Sequence, residues 1–209
     1  MKKILTIAAL AGLTLSTFGQ GLVQFNNRNT TSTPVVDATI WSGTTNAATG
    51  GVLLNGTDTS FRAALIGGAT TGTAASAASA GTLSLLASPA TSATFVTFRT
   101  GAAAGYLGVS TDNTRDSGLA YGSTGLFQVV AWQGTETTWA AAYADWKNGL
   151  IKAGWSNPLT LATTLNATDL NVTPLAGLQS FAITQVPEPS TFALAGMGVA
   201  ALMIFRRRK

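Results

Sequence analysis

Apolar and polar residues alternate in three different ways along the chain. Residues 4–15 are apolar almost without interruption. Between residues 20 and 185, apolar residues come in short runs set between Gly, Asn, Asp, Ser and Thr. From Ser190 to Phe205 the chain again carries no charge. In the middle region, the β-branched and aromatic content of the runs predicts strands near Leu22–Asn26, Val35–Trp41, Phe61–Ile66, Leu83–Leu86, Thr94–Arg99, Tyr106–Val109, Leu126–Trp132, Leu159–Thr163 and Leu178–Thr184. Leu126–Trp132 is nearly all apolar, as a central strand buried on both faces would be. Many short strands with turn residues between them predict a mainly β fold. The expected form is an antiparallel β-sandwich, jelly-roll-like or similar, with one short helix.

That helix is expected within Thr137–Gly149. Thr138 is a suitable N-cap and Gly149 a suitable stop. Trp139, Tyr143 and Trp146 then share one face, at i, i+4 and i+7. Residues 69–81 are low in complexity and read as a loop. The chain shows no internal repeat, which argues against a solenoid.

The two ends read as export signals. Lys2 and Lys3, the apolar stretch and the small-residue exit at Thr17 and Gly19 make a secretory signal, placed at residues 1–19. At the other end, residues 190–205 form an uncharged segment closed by Arg206, Arg207, Arg208 and Lys209. This is the layout of a membrane helix with a cytoplasmic basic stop. At ~1.5 Å per residue it covers about 24 Å, short of the roughly 30 Å hydrocarbon core, so Arg stems must snorkel or the bilayer thin. The expected organisation is therefore a signal peptide at 1–19, a β-rich extracellular domain at 20–185 and an anchor region at 186–209.

Charge read over the whole chain is misleading. The formal net charge is +4, but half of the twelve cations sit in the two end signals. Between them stand Arg28, Arg62, Arg99, Arg115, Lys147 and Lys152, against Asp37, Asp58, Asp112, Asp116, Glu136, Asp145 and Asp169, which leaves −1. No basic face offers itself to nucleic acid.

The chain has no cysteine and no histidine. Disulfides, thiolate metal sites, His-ligated zinc and histidine general bases are all excluded. Asp112-Asn113-Thr114-Arg115-Asp116 is the densest polar cluster. It lacks the alternating acids of a dedicated calcium loop and reads as a solvated turn. An acidic pair such as Asp112 and Asp116 is the one arrangement from which glycoside chemistry would start. Trp41, Trp132, Trp139, Trp146 and Trp155 are the five tryptophans. The stripe Trp139/Tyr143/Trp146 reads first as core, and as a sugar-stacking platform only if rings prove exposed and coplanar. Asn29, Asn55, Asn166 and Asn171 fit a loose N-x-[ST] pattern that chance explains in a Thr-rich chain. Gly67-Gly68 lacks the context of a phosphate loop. No catalytic residue, metal or cofactor is expected.

Just before the uncharged segment stand Val186-Pro187-Glu188-Pro189-Ser190-Thr191. The prolines hold the stretch extended and present Glu188 on a stiff ribbon. The ordered combination of Pro187-Glu188-Pro189, an apolar segment at 190–205 and a terminal cluster Arg206-Arg207-Arg208-Lys209 resembles the PEP-CTERM sorting domain of exported proteins in Gram-negative bacteria. The resemblance implies that Pro187, Glu188 and Pro189 are the motif recognised by a membrane-embedded exosortase. It implies that 190–205 is the membrane helix and that the basic tail is its stop. It further implies a substrate of that sorting enzyme, held transiently in the inner membrane and then passed to the cell surface or an exopolysaccharide-rich matrix. The opening Gly21-Leu22-Val23-Gln24-Phe25-Asn26-Asn27-Arg28 also looks like the start of β-rich PEP-CTERM proteins. The expected function is a non-enzymatic surface or biofilm-matrix protein. The alternative is a glycan-binding module or a carboxylate-dependent glycan-active enzyme.

Overall fold

Short runs of β-formers make short strands, and only the runs that can bury both faces grow long. The computed structural model describes residues 20–68, 83–108, 113–164 and 172–186. Over these residues the chain is mainly β with one short helix. The longest strands are β6 (Phe61–Gly68) and β9 (Thr124–Gln133). They pair antiparallel over eight residue pairs, from Phe61 opposite Gln133 to Gly68 opposite Leu126. Phe127 to Trp132 are all fully buried, as the uninterrupted apolar run predicts.

Alternate residues of this ladder enter two separate apolar clusters, as the period-2 geometry of strands requires. Ala63, Leu65, Phe127, Val129 and Ala131 enter the larger one. There they meet Val23 and Phe25 from the N-terminal end, Ile40, Leu107, Leu175 and Ile183. Ala64, Ile66, Val130 and Trp132 face the other way, toward Trp139 and Ala142 of the helix.

The remaining strands attach around this ladder. β7 (Phe95–Val96) borders β6. On the far side of β9, β10 (Ala153–Trp155) pairs with Trp132–Val130 and β11 (Leu159–Ala162) with Phe127–Thr124. Between them the Ser156 N–H donates to the Val129 carbonyl at 2.8 Å, so β10 and β11 run as one interrupted strand. β1 (Gln20–Gln24) pairs with β8 (Thr114–Ala120), β2 (Arg28–Asn29) with β3 (Val36–Asp37), and β4 (Ile40–Ser42) with β5 (Val52–Leu53). β12 (Phe181–Ile183) lies on the other side of β4, and that pairing is parallel. The sheets are therefore not purely antiparallel. No hairpin constrains two strands so far apart in sequence, so β12 can arrive in the same direction as β4.

The expected strands differ from the observed ones in informative ways. Val35–Trp41 is divided between β3 and β4. Leu83–Leu86 contributes a single bridge, Leu85 to Ile66, and Tyr106–Val109 a single bridge, Leu107 to Phe98. β8 was expected to begin as a solvated turn and is instead a strand with Arg115 fully buried. The Arg115 guanidinium lies 4.9 Å over the Phe25 ring and donates to the Thr114 carbonyl at 2.7 Å. Pairing with β1 carries it inside, since the Arg stem is apolar and the planar head stacks on an aromatic face.

The helix, α1 (Trp139–Lys147), forms where its end signals place it. The Ala141 N–H donates to the Thr138 hydroxyl at 3.2 Å, and Gly149 takes the left-handed turn (φ +72°) that closes it.

Asn27 ties three segments together from inside. Its amide nitrogen donates to the carbonyls of Ala38 (2.6 Å) and Gly105 (3.0 Å). Its amide oxygen accepts from the Leu107 N–H at 2.8 Å. The side chain is fully buried, and these bonds satisfy backbone groups that no ladder reaches. Beside it Arg28 lies 4.8 Å over the Tyr106 ring, whose hydroxyl donates to Asp37 at 2.6 Å. That bond to Asp37 holds the Tyr106 pKa above its ordinary value.

Replacing Asn27 by Ala leaves the Leu107 N–H and the Ala38 carbonyl without partners, while the Gly105 carbonyl keeps the Ile40 N–H. The expected cost is about 3 kcal/mol, measured as a lower denaturation midpoint on tryptophan fluorescence with an unchanged slope. A midpoint within error of the parent would show that the three segments hold together without it.

Candidate sorting site and its attachment to the domain

The last described strand is held on three sides. Phe181 and Ile183 of β12 turn into the larger apolar cluster. Along one edge β12 pairs with β4, and the Gly43 N–H donates to the Ile183 carbonyl at 3.0 Å. On the other side Thr184 and Ala153 exchange both backbone hydrogen bonds, at 3.0 and 3.1 Å. This bridge joins the three-stranded sheet β12-β4-β5 to the five-stranded sheet through β10. A Cβ on Gly154 would stand 2.4 Å from the Ala182 carbonyl oxygen, so the close approach of β10 and β12 requires a glycine there.

α1 completes the clamp. The Trp146 indole N–H donates to the Thr184 carbonyl at 2.9 Å, filling its second acceptor site. The Gln185 side-chain amide donates to the Gly149 carbonyl at the end of α1. Trp146 is itself fixed by rings: Tyr143 at 5.4 Å and Trp155 at 5.2 Å between centroids, with Trp139 behind them. The chain is thus tied to the domain through Gln185, with Pro187 only two residues further on.

Residues 185–209 match the family model of the PEP-CTERM protein-sorting motif. The chain carries a PEP-CTERM sorting motif. No curated protein and no solved structure matches the chain. The motif marks an exported protein with a C-terminal sorting region, and motifs of this kind are recognised by exosortase-type enzymes. Its match begins on Gln185, the residue clamped to α1, so the PEP-CTERM segment starts at the wall of the folded domain.

Pro187, Glu188 and Pro189, the uncharged segment 190–205 and the basic residues Arg206, Arg207, Arg208 and Lys209 lie outside the described residues, as does the signal at 1–19. Among the described residues no helix is long and apolar enough to cross a membrane.

Of the acidic cluster, Asp112 lies outside the described residues. Asp116 is in β8, where its carboxylate accepts from the Gly118 N–H at 2.9 Å. Asp58 serves a turn in the same way. It accepts from the Ser60 hydroxyl (2.6 Å) and N–H (2.9 Å), which lowers its pKa. Among the described residues no three acids gather as a metal site.

The tryptophans mostly serve the core. Trp132 and Trp139 are buried, while Trp41, Trp146 and Trp155 are half-buried. Contacting indoles are inclined, Trp132 to Trp139 at 54°, Trp139 to Trp155 at 76° and Trp146 to Trp155 at 82°, and along the stripe Tyr143 is tilted 45° to Trp139 and 32° to Trp146, so the rings are not coplanar. Sequence reasoning missed a different concavity. A pocket of about 450 Å³ is lined by Gln24, Asn29, Thr31, Ser32, Thr33, Val172 and Pro174. Asn29 orders its rim, donating to the Gln24 side-chain oxygen at 2.9 Å and accepting from Thr31 and Ser32. None of these lining residues is ionisable. Asn29 drew notice only as a sequon; nothing in its local sequence announces the pocket, which needs residues 172–174 brought beside β1.

Trp146→Phe keeps an aromatic ring, though a smaller one, and removes the donor to Thr184. The expected loss is about 1 kcal/mol in denaturant, with faster limited proteolysis between residues 183 and 189. Gly154→Ala should do more on both counts, because backbone must move. Unchanged proteolysis in both variants would mean that the clamp does not govern access to the sorting segment.

Proposed function

We propose that the protein is a non-enzymatic surface or biofilm-matrix protein of a Gram-negative bacterium, sorted by an exosortase at Pro187-Glu188-Pro189. The observation that carries this reading is the PEP-CTERM match at residues 185–209, abutting a folded β domain. In this reading the signal at 1–19 directs export. Residues 190–205 then hold the chain transiently in the inner membrane, with Arg206 to Lys209 as the stop. Cutting near the motif releases the domain to the cell surface or matrix. The central domain is structural or adhesive. Its strands form a β-sandwich in which the β1-β8 and β12-β4-β5 sheets cover the larger-cluster face of the β6–β9 ladder. The engagement of Asp58 and Asp116 in holding nearby N–H groups supports a non-catalytic role.

A second reading, contact with a neutral glycan such as an exopolysaccharide, is favoured by the pocket around Asn29. Its amides and hydroxyls can both donate to and accept from sugar hydroxyls, and its lining side chains carry no charge to repel or require an ionic ligand.

Replacing Pro187, Glu188 and Pro189 together by Ala should abolish processing and leave the full tail on the protein, as read by intact mass from the membrane fraction. The parent recovered from the cell surface should lack both the first ~19 residues and the basic tail. A parent that keeps Arg206 to Lys209 at the surface would overturn sorting by cleavage. For the glycan reading, Asn29→Ala should weaken binding of the native matrix polysaccharide at least tenfold in calorimetry, about 1.4 kcal/mol. Equal binding would remove the pocket from consideration.

A further inference from the structure

The sorting segment leaves the domain beside a patch whose chemistry the reading above leaves unused. Leu150 follows the turn that closes α1 and is 70 % exposed, more than Val35, Val52 or Tyr121. A single exposed leucine is ordinary on a protein surface. Its position here is not. The preceding residue, Gly149, accepts the Gln185 side-chain amide, so Leu150 stands next to the point where the chain departs. Half-buried Trp146 is bonded to Thr184 on the same face. Two cations flank it: Lys147, whose ammonium lies 5.8 Å from the Tyr143 ring, and Lys152, which reaches the Ser42 hydroxyl at 3.3 Å. Asp145, the acid of α1, stands two residues from Lys147 and so on a different face of the helix.

Chain length decides what this patch meets. Only residues 187–189 separate Val186 from the uncharged segment that starts at Ser190. The four extended steps from Val186 to Ser190 reach about 14 Å. Any surface bordering Val186 is therefore held within about that distance of a bilayer that contains the segment. An apolar tip, an amphipathic indole and lysines are the residue types that suit the interface of an anionic membrane.

We propose that Leu150, with Trp146, Lys147 and Lys152, rests on the anionic lipid surface while the chain still carries its anchor. This rests on the anchor reading of residues 190–205. The contact sets the domain down beside its own tail and keeps Glu188 at headgroup depth, where an enzyme embedded in the membrane can reach it. Once the tail is cut, the patch is too small to hold the domain, and the domain leaves.

The chain has no cysteine, so Leu150→Cys and Tyr121→Cys each give a single labelling site. Tyr121 serves as the distant control. It precedes β9, whose Thr124 end lies roughly 27 Å from Trp132 at ~3.4 Å per residue, and Trp132 pairs with Ala153 beside the exit. Each labelled chain, recovered with its tail from membranes of cells lacking the sorting enzyme, is reconstituted into phosphatidylglycerol-containing vesicles with nitroxide-bearing lipid. The protein should float with the vesicles, and the label at 150 should be quenched several-fold more than the label at 121. Neutral vesicles should reduce that difference. Flotation with equal quenching at both sites would overturn the contact and leave the anchor standing. Failure to float would overturn both. Protection of position 150 only in native membranes containing the sorting enzyme would overturn lipid as the partner in favour of that enzyme. Quenching indifferent to lipid charge would overturn the part assigned to Lys147 and Lys152.

Discussion

The pairing of β6 with β9 is the constraint on which the rest of the fold hangs. Eight consecutive residue pairs place two strands so that both faces must be covered, and the alternation of side chains sends half of them to each side. The larger cluster then recruits residues from both ends of the domain, Val23 and Phe25 near its start and Ile183 near its finish. The smaller cluster recruits α1. Elements of two or three residues, such as β7 and β12, would not persist alone and are held by what this ladder presents to them.

The smaller cluster links packing to sorting. Trp132 on β9 touches Trp139 on α1, and ring contacts run on through Tyr143 and Trp155 to Trp146, whose indole holds the Thr184 carbonyl. The aromatic stripe is chiefly a core feature, yet its outer end fixes the strand from which the sorting segment departs. The PEP-CTERM segment therefore starts at the wall of the domain, and the geometry of the domain limits how that segment is presented. This is a mechanical consequence of hydrogen bonds and ring packing and needs no catalytic group in the domain.

Legibility in the sequence followed the range of the forces involved. β9 and α1 were readable because their signals are local: an unbroken apolar run in one, and a cap, a stripe and a closing glycine in the other. β8 was not readable. Its first residues, Thr114-Arg115-Asp116, belong to the cluster from Asp112 that reads as a turn, and only pairing with β1 and the ring of Phe25 make a buried Arg115 tolerable. Asn27 was visible only as part of an opening that resembles other β-rich PEP-CTERM proteins. Its role depends on carbonyls 11 and 78 residues away, which no local pattern encodes. The pocket around Asn29 escaped for the same reason.

The sequence by itself determined the β class of the domain, the place of α1 and the tail that the family model also recognises. These depend on composition, periodicity and order over a few dozen residues, and such information survives without coordinates. Tertiary structure alone decided that β12 runs parallel to β4, that Arg115 and Asn27 lie inside, and that the tail leaves beside Leu150 and Trp146. Each of these joins residues far apart in the chain through directional bonds or close backbone approach. Their partners are selected only when the β6–β9 ladder has brought the segments together.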